Sequence, residues 1–267
     1  MAMANGRILL DIKDGLAKLT LNDPGSLNAF GFKLKQDLSE ALDQLEASDA
    51  RALLITGAGR AFCSGANLND PDRPPRDREA EARGDAPTDL EAWYNPTFQR
   101  LRALSIPIVS GINGVAAGAG MSLALSADIK VMAKSAFFLQ AFARIGLVPD
   151  CGSSWLLPRL IGISRSMELS LLAERLPADT AAEWGLVNRV VADDELPDAA
   201  IAMARRLADG PSSLGLIRRM YWDALENDYT GQLQLESDLQ KIAGGSVDHN
   251  EGVAAFREKR EARFVGR

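Results

Sequence analysis

The chain has 267 residues, of which 46% are hydrophobic and 25% are charged, and its net charge is −6. These values predict one soluble globular domain with room for a small appendage. The acidic balance argues against nucleic acid or an anionic membrane surface as a partner. No run approaches the roughly 18 apolar residues of a membrane span. Residues 1–15 lack a signal-peptide pattern, so we expect a cytoplasmic protein.

Cysteine and histidine are too rare for several kinds of site. Cys63 and Cys151 form neither a disulfide framework nor a CxxC motif. The single histidine, His249, lies in a polar stretch near the C-terminus, where we expect an exposed residue. A Ser–His–Asp triad, a histidine-ligated zinc or a histidine base would each need it. We therefore expect no metal site, and we expect catalysis to rest on carboxylates and backbone groups.

The first quarter of the chain reads as strand, helix and strand. Apolar and polar residues alternate around Asp14-Gly15, which predicts a β-hairpin of residues 7–12 and 16–21. Leucines at helical spacing predict an amphipathic helix over 31–48. Residues 52–56 are a continuous apolar run, typical of a strand buried on both faces. A glycine-rich turn, residues 57–68, follows this strand.

The middle of the chain contains an irregular segment and a second glycine-rich stretch. Residues 69–89 are charged and rich in proline, which predicts a mobile surface loop, with a lid over a nearby site as the alternative. A helix from Leu90 and a buried strand over 107–111 come next. The strand leads into residues 108–126, which contain four glycines and then a helix-like run. Such a turn presents unpaired N–H groups that can hold negative charge.

The remaining pattern gives an α/β architecture with a helical tail. Short strands are predicted at 128–133, 136–139 and 186–191. Helices are predicted at 153–161, 167–174 (with Ser164 as N-cap), 178–184, 196–208, 212–227, 231–243 and 251–263 (with Asp248 and Glu251 as a capping box). We therefore divide the chain into an α/β core, residues 1–195, and a helical region, residues 196–267.

The two glycine-rich turns suit an oxyanion hole better than a nucleotide site. Residues 118–123 match only the first half of GxGxxG, because position 123 is leucine. Residues 56–60 resemble the TGAGR of short-chain dehydrogenases, but no tyrosine is followed by lysine in a Tyr-x-x-x-Lys pair. Two strand-to-helix turns can instead each direct one backbone N–H at a single carbonyl oxygen.

Four segments carry a resemblance to a known family. Residues 22–29 (NDPGSLNA) resemble its N-R-P-x-x-x-N-A start, and residues 56–68 resemble T-G-x-G-x-x-F-C-x-G-A-D-L. Residues 107–127 resemble its glycine block, and residues 184–187 (WGLV) resemble the end of A-x-x-x-G-L-V. The chain is identified as a member of the crotonase superfamily, the enoyl-CoA hydratase/isomerase family.

This resemblance implies a fold, an assembly and a binding path. The fold would be repeated ββα units, with C-terminal helices that pack subunits into homotrimers or dimers of trimers. An acyl-CoA thioester would be the substrate, and coenzyme A would be part of it, with no tightly bound cofactor. The oxyanion donors would be the N–H groups of Ala66 and Ala119. Residues implied to line the CoA path are Ser26, Leu27, Ala29, Ala66, Asn67, Leu68 and Gly118, with Phe256 and Lys259 near the CoA phosphates.

The catalytic positions depart from the hydratase pattern. A hydratase uses two glutamates, and the resemblance aligns them with Ser122 and Phe142, neither of which is a carboxylate. Asp150 stands where several isomerases and a dehalogenase of the superfamily carry a catalytic aspartate. Residues 146–158 resemble most the epoxyphenylacetyl-CoA isomerases. Alternatively, Asp150 caps the helix that follows Gly152.

We therefore expect Asp150 to shift a double bond in a thioester enolate. Phe142, Phe138 and Trp155 are expected to raise its pKa by desolvation. Phe142 with Trp93 and Tyr94 suggests a pocket for a bulky or aromatic acyl group, next to Ser122. The alternatives are a hydratase that takes a carboxylate from residues 69–89, a dehalogenase, and a catalytically silent acyl-CoA-binding homologue.

Overall fold

Ten strands form two sheets in the computed structural model, which describes residues 6–266. They are β1 (Ile8–Lys13), β2 (Leu16–Leu21), β3 (Ala52–Gly57), β4 (Ala61–Cys63), β5 (Ile108–Ile112), β6 (Val115–Ala117), β7 (Ile129–Ala133), β8 (Phe137–Leu139), β9 (Arg175–Pro177) and β10 (Arg189–Val191). Residues 1–5, the start of the segment that we expect not to be a signal peptide, and residue 267 lie outside the described part of the chain.

Ten α-helices accompany these strands within residues 6–266. They are α1 (Phe32–Glu46), α2 (Arg78–Arg83), α3 (Asn95–Ala103), α4 (Ala119–Leu125), α5 (Ser153–Leu172), α6 (Ala178–Glu183), α7 (Leu196–Ala208), α8 (Ser213–Asp223), α9 (Tyr229–Gly244) and α10 (Val247–Glu258). Shorter helical turns occur at Pro24–Ser26, Leu90–Tyr94 and Ala141–Ile145. No helix in this part of the chain is both long and apolar enough to cross a membrane.

Three successive strand pairs, β3 and β4, β5 and β6, and β7 and β8, each place one strand in each of the two sheets. The larger sheet has the order β1-β2-β3-β5-β7-β10, and the smaller has the order β4-β6-β8-β9. Thus β3, β5 and β7 run parallel in one sheet, while β4, β6 and β8 run parallel in the other. Helix α7 packs on β3, β5 and β7, which explains why these strands are apolar on both faces. The predicted crotonase-like ββα architecture is confirmed.

The N-terminal elements agree with their sequence pattern. Strands β1 and β2 form the predicted antiparallel hairpin. Its turn residues Asp14 and Gly15 both have positive φ, as a tight two-residue hairpin turn requires. Helix α1 buries the predicted leucine stripe, of which Leu34 and Leu42 have no exposed surface. The apolar spacing therefore located both elements to within two residues.

The smaller sheet contains strands that the sequence pattern does not reveal. Strands β4, β6 and β9 have only three residues each. Two of them, β4 and β6, lie within stretches that we interpreted as glycine-rich turns and connecting segments. Three residues are too few to establish a period of two, so hydrophobic alternation carries no signal there.

Residues 153–172, labelled α5, consist of two helical segments separated by a kink, in agreement with the two helices predicted here. The break lies at Gly162, whose φ of 78° is left-handed, a conformation that glycine adopts at little cost. Ser164 lies two residues past the break, inside the second segment, so its predicted N-cap role is wrong.

The start of α10 is also corrected. The helix begins at Val247, and Ser246 is its N-cap, because its Oγ accepts the N–H of His249 at 2.9 Å. The predicted capping box of Asp248 and Glu251 is wrong. Asp248 instead accepts the N–H of Ser212 at 2.8 Å and so connects α10 to the start of α8. His249 is exposed, as predicted.

Residues 69–89 have defined contacts with α1. Helix α2 forms within this segment, and Asp70 accepts the N–H of Phe32 at the start of α1. Farther along, Asp89 pairs with Lys35 of α1 and with Arg73, each at 3.0 Å. The prediction of a free surface loop did not include these ion pairs, which no local hydrophobic pattern encodes.

Candidate active site

The first glycine-rich turn leaves the N–H of Ala66 without an acceptor from the protein. Phe30 pairs with Ala66 in a parallel bridge. In this bridge Phe30 N donates to Gly65 O at 2.7 Å, and Asn67 N donates to Phe30 O at 3.2 Å. The residue between the two bonded neighbours points its N–H to the opposite side. Within residues 6–266, no acceptor meets the Ala66 N–H.

The N-terminus of α4 lies beside this turn. Gly65 has a φ of +95°, and a Cβ at its position would lie 2.8 Å from Ala117 O and 3.8 Å from Ala119 N. Ala119 is the first residue of α4, so its N–H has no partner within the helix. The two predicted oxyanion donors, Ala66 and Ala119, are therefore neighbours across the junction of β6 and α4.

A buried asparagine that our site prediction did not include supports the first turn. Asn28 has no exposed surface. Its Nδ2 donates to Ala58 O at 2.9 Å and to Ala61 O at 2.8 Å, while its Oδ1 accepts the N–H of Asp23 at 2.8 Å. The Asn28 side chain thus connects the backbone of Asp23 to the backbone on both sides of the turn between β3 and β4. The sequence signal that could have identified Asn28 is its place inside the NDPGSLNA segment, where the family pattern also has an asparagine.

Most residues predicted to line the CoA path belong to one surface. Ser64 joins two segments, since its N–H donates to Leu27 O at 3.1 Å and its Oγ donates to Ser26 O at 3.2 Å. Around this junction, Ser26, Leu27, Asn67 and Leu68 are at least partly exposed, whereas Ala29 and Gly118 are buried. Segments 26–30 and 64–68 therefore form a continuous face next to the two donors.

Lys259 is not part of that face in the single chain. It follows α10 with a φ of 55° and is exposed. No hydrogen bond or ion pair within the described residues connects it to segments 26–30 or 64–68. The predicted contact of Lys259 with CoA stays a prediction that needs another subunit or the bound ligand.

Asp150 offers a carboxylate oxygen that the protein does not use. Its Oδ1 is buried and has no hydrogen-bond partner among the described residues. Helix α5 has Gly152 as its N-cap and no side-chain cap bond, so the interpretation of Asp150 as a helix cap is wrong. Burial raises the pKa of Asp150, and a hydrogen bond from the Cys151 thiol acts in the opposite direction.

Two cysteines and a tyrosine share the region of Asp150. Both Cys63 and Cys151 are buried free thiols, and burial raises the pKa of Cys63 to about 12. Tyr94 is also buried, and its pKa is raised first by burial and then by charge interactions with groups that include Cys151, Cys63 and Asp150. Cys63 ends β4, just before the first turn, so the Asp150 segment lies close to that turn.

The three predicted pocket residues lie in different surroundings. Phe142 is buried, and its ring Cζ lies 3.7 Å from where a Cβ of Gly118 would be. Ser122 has no exposed surface, and its hydroxyl contacts backbone carbonyls. Trp93 is half-buried and packs edge-on against Phe32, with the ring centroids 5.5 Å apart. Of the three, Phe142 lies directly against the turn that leads to Ala119.

Trp155, predicted as part of an apolar wall near Asp150, stacks with two arginines and a second tryptophan. Its ring lies under the guanidinium groups of Arg102, 4.7 Å from the centroid, and Arg159, 4.0 Å from the centroid. The ring of Trp222 lies 6.3 Å away and completes the cluster. Burial does raise the pKa of Asp150, but Trp155 is mainly part of a cation–π cluster.

Comparison with known proteins agrees with this arrangement. Residues 11–267 match the family described as enoyl-CoA hydratase/isomerase. A curated relative, the 1,2-epoxyphenylacetyl-CoA isomerase of Escherichia coli (strain K12), is 46% identical over 265 residues, covering 97% of this chain and 98% of the relative. A protein of Rhodobacter capsulatus named "probable enoyl-CoA hydratase" is 40% identical, covering 99% of this chain and 100% of the relative.

Solved structures give the same result for the fold. The crystal structure of an enoyl-CoA hydratase from Bacillus anthracis has a TM-score of 0.88 and 30% identity, covering 98% of this chain and 100% of that one. Because the match covers nearly all of both chains, it is not limited to a shared fragment. The chain therefore belongs to the enoyl-CoA hydratase/isomerase family, whose members act on acyl-CoA thioesters.

Proposed function

We propose that this enzyme moves a double bond along the acyl chain of a CoA thioester, with Asp150 as its acid–base group. The observation that carries this proposal is the buried Oδ1 of Asp150. It is the one carboxylate oxygen among residues 6–266 that is buried without a hydrogen-bond partner. A general base needs a free oxygen and a pKa above that of an exposed aspartate, and burial provides the second condition.

Two backbone donors would stabilise the enolate. The thioester oxygen accepts hydrogen bonds from the N–H groups of Ala66 and Ala119, which are strongest when negative charge develops on that oxygen. In enzymes with such a site, loss of one donor costs roughly a hundred- to a thousand-fold in rate. The buried ring of Phe142 beside Gly118 keeps water away from this oxygen.

The proton balance requires no further co-reactant. With a 3-enoyl-CoA, Asp150 takes a proton from C2, and the electron pair delocalises over the dienolate and the thioester oxygen. The protonated Asp150 then returns the proton to C4, which leaves the double bond between C2 and C3. Substrate and product are isomers, and the enzyme ends in its starting state.

Hydration is the second candidate, favoured by the similarity to the relative from Rhodobacter capsulatus and to the Bacillus anthracis structure. It would need a second carboxylate. Ser122 and Phe142 do not supply one. In segment 69–89, every carboxylate already has a hydrogen-bond or ion-pair partner: Asp70, Asp72, Asp77, Glu79, Glu81, Asp85 and Asp89. These contacts favour isomerisation.

The experiment compares wild type, Asp150→Asn and Asp11→Asn, a matched change at an exposed residue of β1. Each protein is incubated with a 3-enoyl-CoA, crotonyl-CoA and an aryl-CoA, and products are identified by mass. We expect isomerisation by wild type and by Asp11→Asn, and a loss of about a hundredfold or more for Asp150→Asn. Full activity of Asp150→Asn would disprove the proposal. Hydration of crotonyl-CoA would favour the hydratase, and CoA binding without turnover would indicate a silent homologue.

The proposal extends to the acyl group, the assembly and the location. Phe142, Trp93 and Tyr94, together with the similarity to the epoxyphenylacetyl-CoA isomerase, favour a bulky or aromatic acyl group. A cleft of about 920 Å³ lies between α8, α9 and α10, and the side chain of Phe256 is 86% exposed. This uncovered apolar surface favours assembly into a homotrimer or a dimer of trimers. We place the protein in the cytoplasm. Light scattering after gel filtration tests the assembly, and a monomer would contradict it.

A further inference from the structure

Three donors converge on the backbone carbonyl of Asp150. Ser122 Oγ lies 3.2 Å from this oxygen, Ser153 Oγ lies 2.9 Å from it, and Ser153 N lies 3.1 Å from it. Both serines have no exposed surface. A buried hydroxyl that donates to a backbone carbonyl fixes that carbonyl, because losing the bond leaves a buried polar group unsatisfied.

The proton of Ser122 is available for this contact. Its hydroxyl has a single proton and two nearby carbonyls, Gly118 O at 3.3 Å and Asp150 O at 3.2 Å. Gly118 O already accepts the backbone N–H of Ser122 at 3.1 Å. The carbonyl of Asp150 accepts two bonds from Ser153, so the Ser122 hydroxyl, nearly equidistant from both carbonyls, is shared between them and adds a contact from α4 to the segment that carries Asp150.

The backbone after Asp150 needs such support. Cys151 has a φ of 53° and Gly152 has a φ of 79°, so two consecutive residues are left-handed. For a residue with a side chain this conformation is unfavourable, because its Cβ comes close to the following carbonyl oxygen. A turn of this kind persists when its surroundings hold it, and the three bonds to the Asp150 carbonyl provide that restraint.

We propose that Ser122 is a positioning residue, which sets the place of the Asp150 carboxylate relative to the Ala119 N–H. Ser122 lies one helical turn after Ala119 in α4, so a single rigid helix start carries both the oxyanion donor and the contact to the base segment. This inference rests on the proposed function of Asp150. It gives a physical role to the position where the hydratases carry a glutamate.

The test compares Ser122→Ala with Ser110→Ala. Ser110 is equally buried, and its Oγ donates to Ala124 O, also in α4, at 3.2 Å, but it has no contact with Asp150. Each variant therefore removes a buried serine hydroxyl whose hydrogen bonds involve α4. With a 3-enoyl-CoA substrate, we expect Ser122→Ala to lose about tenfold in kcat with KM within about twofold, because misplacing a catalytic group affects chemistry and not CoA binding. Ser110→Ala keeps both constants.

A conservative variant separates the hydroxyl from general packing. Ser122→Thr retains the hydroxyl, and we expect it to recover most of kcat; its melting temperature shows whether the extra methyl group is tolerated. If Ser122→Ala does not fold, Ser122→Cys preserves nearly the same volume with a weak donor and takes its place.

The outcomes distinguish this inference from the proposed function. If Ser122→Ala and Ser110→Ala have equal kcat while Asp150→Asn is inactive, the positioning role is wrong and the base assignment stands. A rise in KM alone for Ser122→Ala also overturns the positioning role. If Asp150→Asn is fully active, the proposed function fails first, whatever the serine variants show.

Discussion

Gly120 packs so closely against Cys63 that a Cβ at position 120 would lie 2.1 Å from the Cys63 carbonyl oxygen. This contact joins the first turn of α4 to the end of β4. Ala119 precedes Gly120, and Ala66 follows Cys63 by three residues. The distance between the two proposed oxyanion donors therefore depends on a contact that only glycine allows.

Substitution of Gly120 by alanine should accordingly affect both stability and rate. The added methyl group overlaps a backbone oxygen that cannot rotate away, so we expect a loss of about 2 kcal/mol or more in the free energy of unfolding. The folded fraction should have a lower kcat, since the two donors move apart. Urea unfolding and steady-state kinetics measure these effects. Gly244→Ala in α9, with no atom near its Cβ, should be neutral or slightly stabilising; a similar loss there would contradict this explanation.

The pH dependence of the reaction should have its acid limb above the ordinary pKa of an aspartate. The base must be ionised, and burial raises the pKa of Asp150, so activity falls as the pH drops through that raised value. Because the Cys151 thiol lowers this pKa, Cys151→Ala should move the acid limb to higher pH. Cys151→Ser, which retains a donor, serves as the control. Profiles of kcat/KM that coincide for Cys151→Ala and wild type would contradict the proposed contact.

Asp150 should also lower the stability of the resting enzyme at neutral pH. The folded protein binds its proton more tightly than the unfolded chain, so stability falls as the pH rises from the unfolded pKa through the folded one. Above both values the ionised carboxylate opposes folding. Asp150→Asn should therefore unfold at a higher temperature than wild type at pH 7, with little difference below pH 4. Equal melting temperatures at both pH values would argue against a desolvated carboxylate.

A buried ion pair outside the site should govern stability without affecting chemistry. Arg218 has its side chain 3% exposed and donates to Asp128 Oδ2 at 2.8 Å, while Asp128 also accepts the N–H of Ile108. Asp128→Asn leaves a buried guanidinium without its counter-charge, so we expect a loss of about 3 kcal/mol. The exposed pair of Arg219 and Asp223 is the control, and Asp223→Asn should cost less than about 1 kcal/mol. Equal losses in chemical denaturation would contradict the distinction.

Much of the fold was readable from hydrophobic spacing, and the exceptions have physical causes. The hairpin, α1, β3 and α7 each extend far enough for a period to be established. Strands β4, β6 and β9 do not: each has three residues, β4 and β6 lie in glycine-rich stretches, and β9 lies directly between two predicted helices. The cap of α10 was assigned wrongly because Ser246 and Asp248 are both suitable cap residues, and only the contact of Asp248 with Ser212 decides between them.

The candidate site was predictable where its chemistry lies in local turns. The glycine-rich turns indicated an oxyanion hole, and the family resemblance indicated Ala66, Ala119 and Asp150, which stay predictions. Asn28 and the contact of Ser122 with Asp150 were not predictable. That contact joins residues 28 positions apart, and the resemblance to the hydratases implies a glutamate, not a serine, at this position. Long-range polar contacts of this kind leave no periodic trace in the chain.

The burial of Ser122 has a consequence for how the reactions of this family can interconvert during evolution. A glutamate at this position would be longer and charged, and a site with no exposed surface provides neither space nor water for it. Accepting it would require displacement of the segment that carries Asp150. A change to glutamate at position 122 would therefore have to be accompanied by a shift of the residue 150 segment, and a two-glutamate site would also need a second substitution at Phe142.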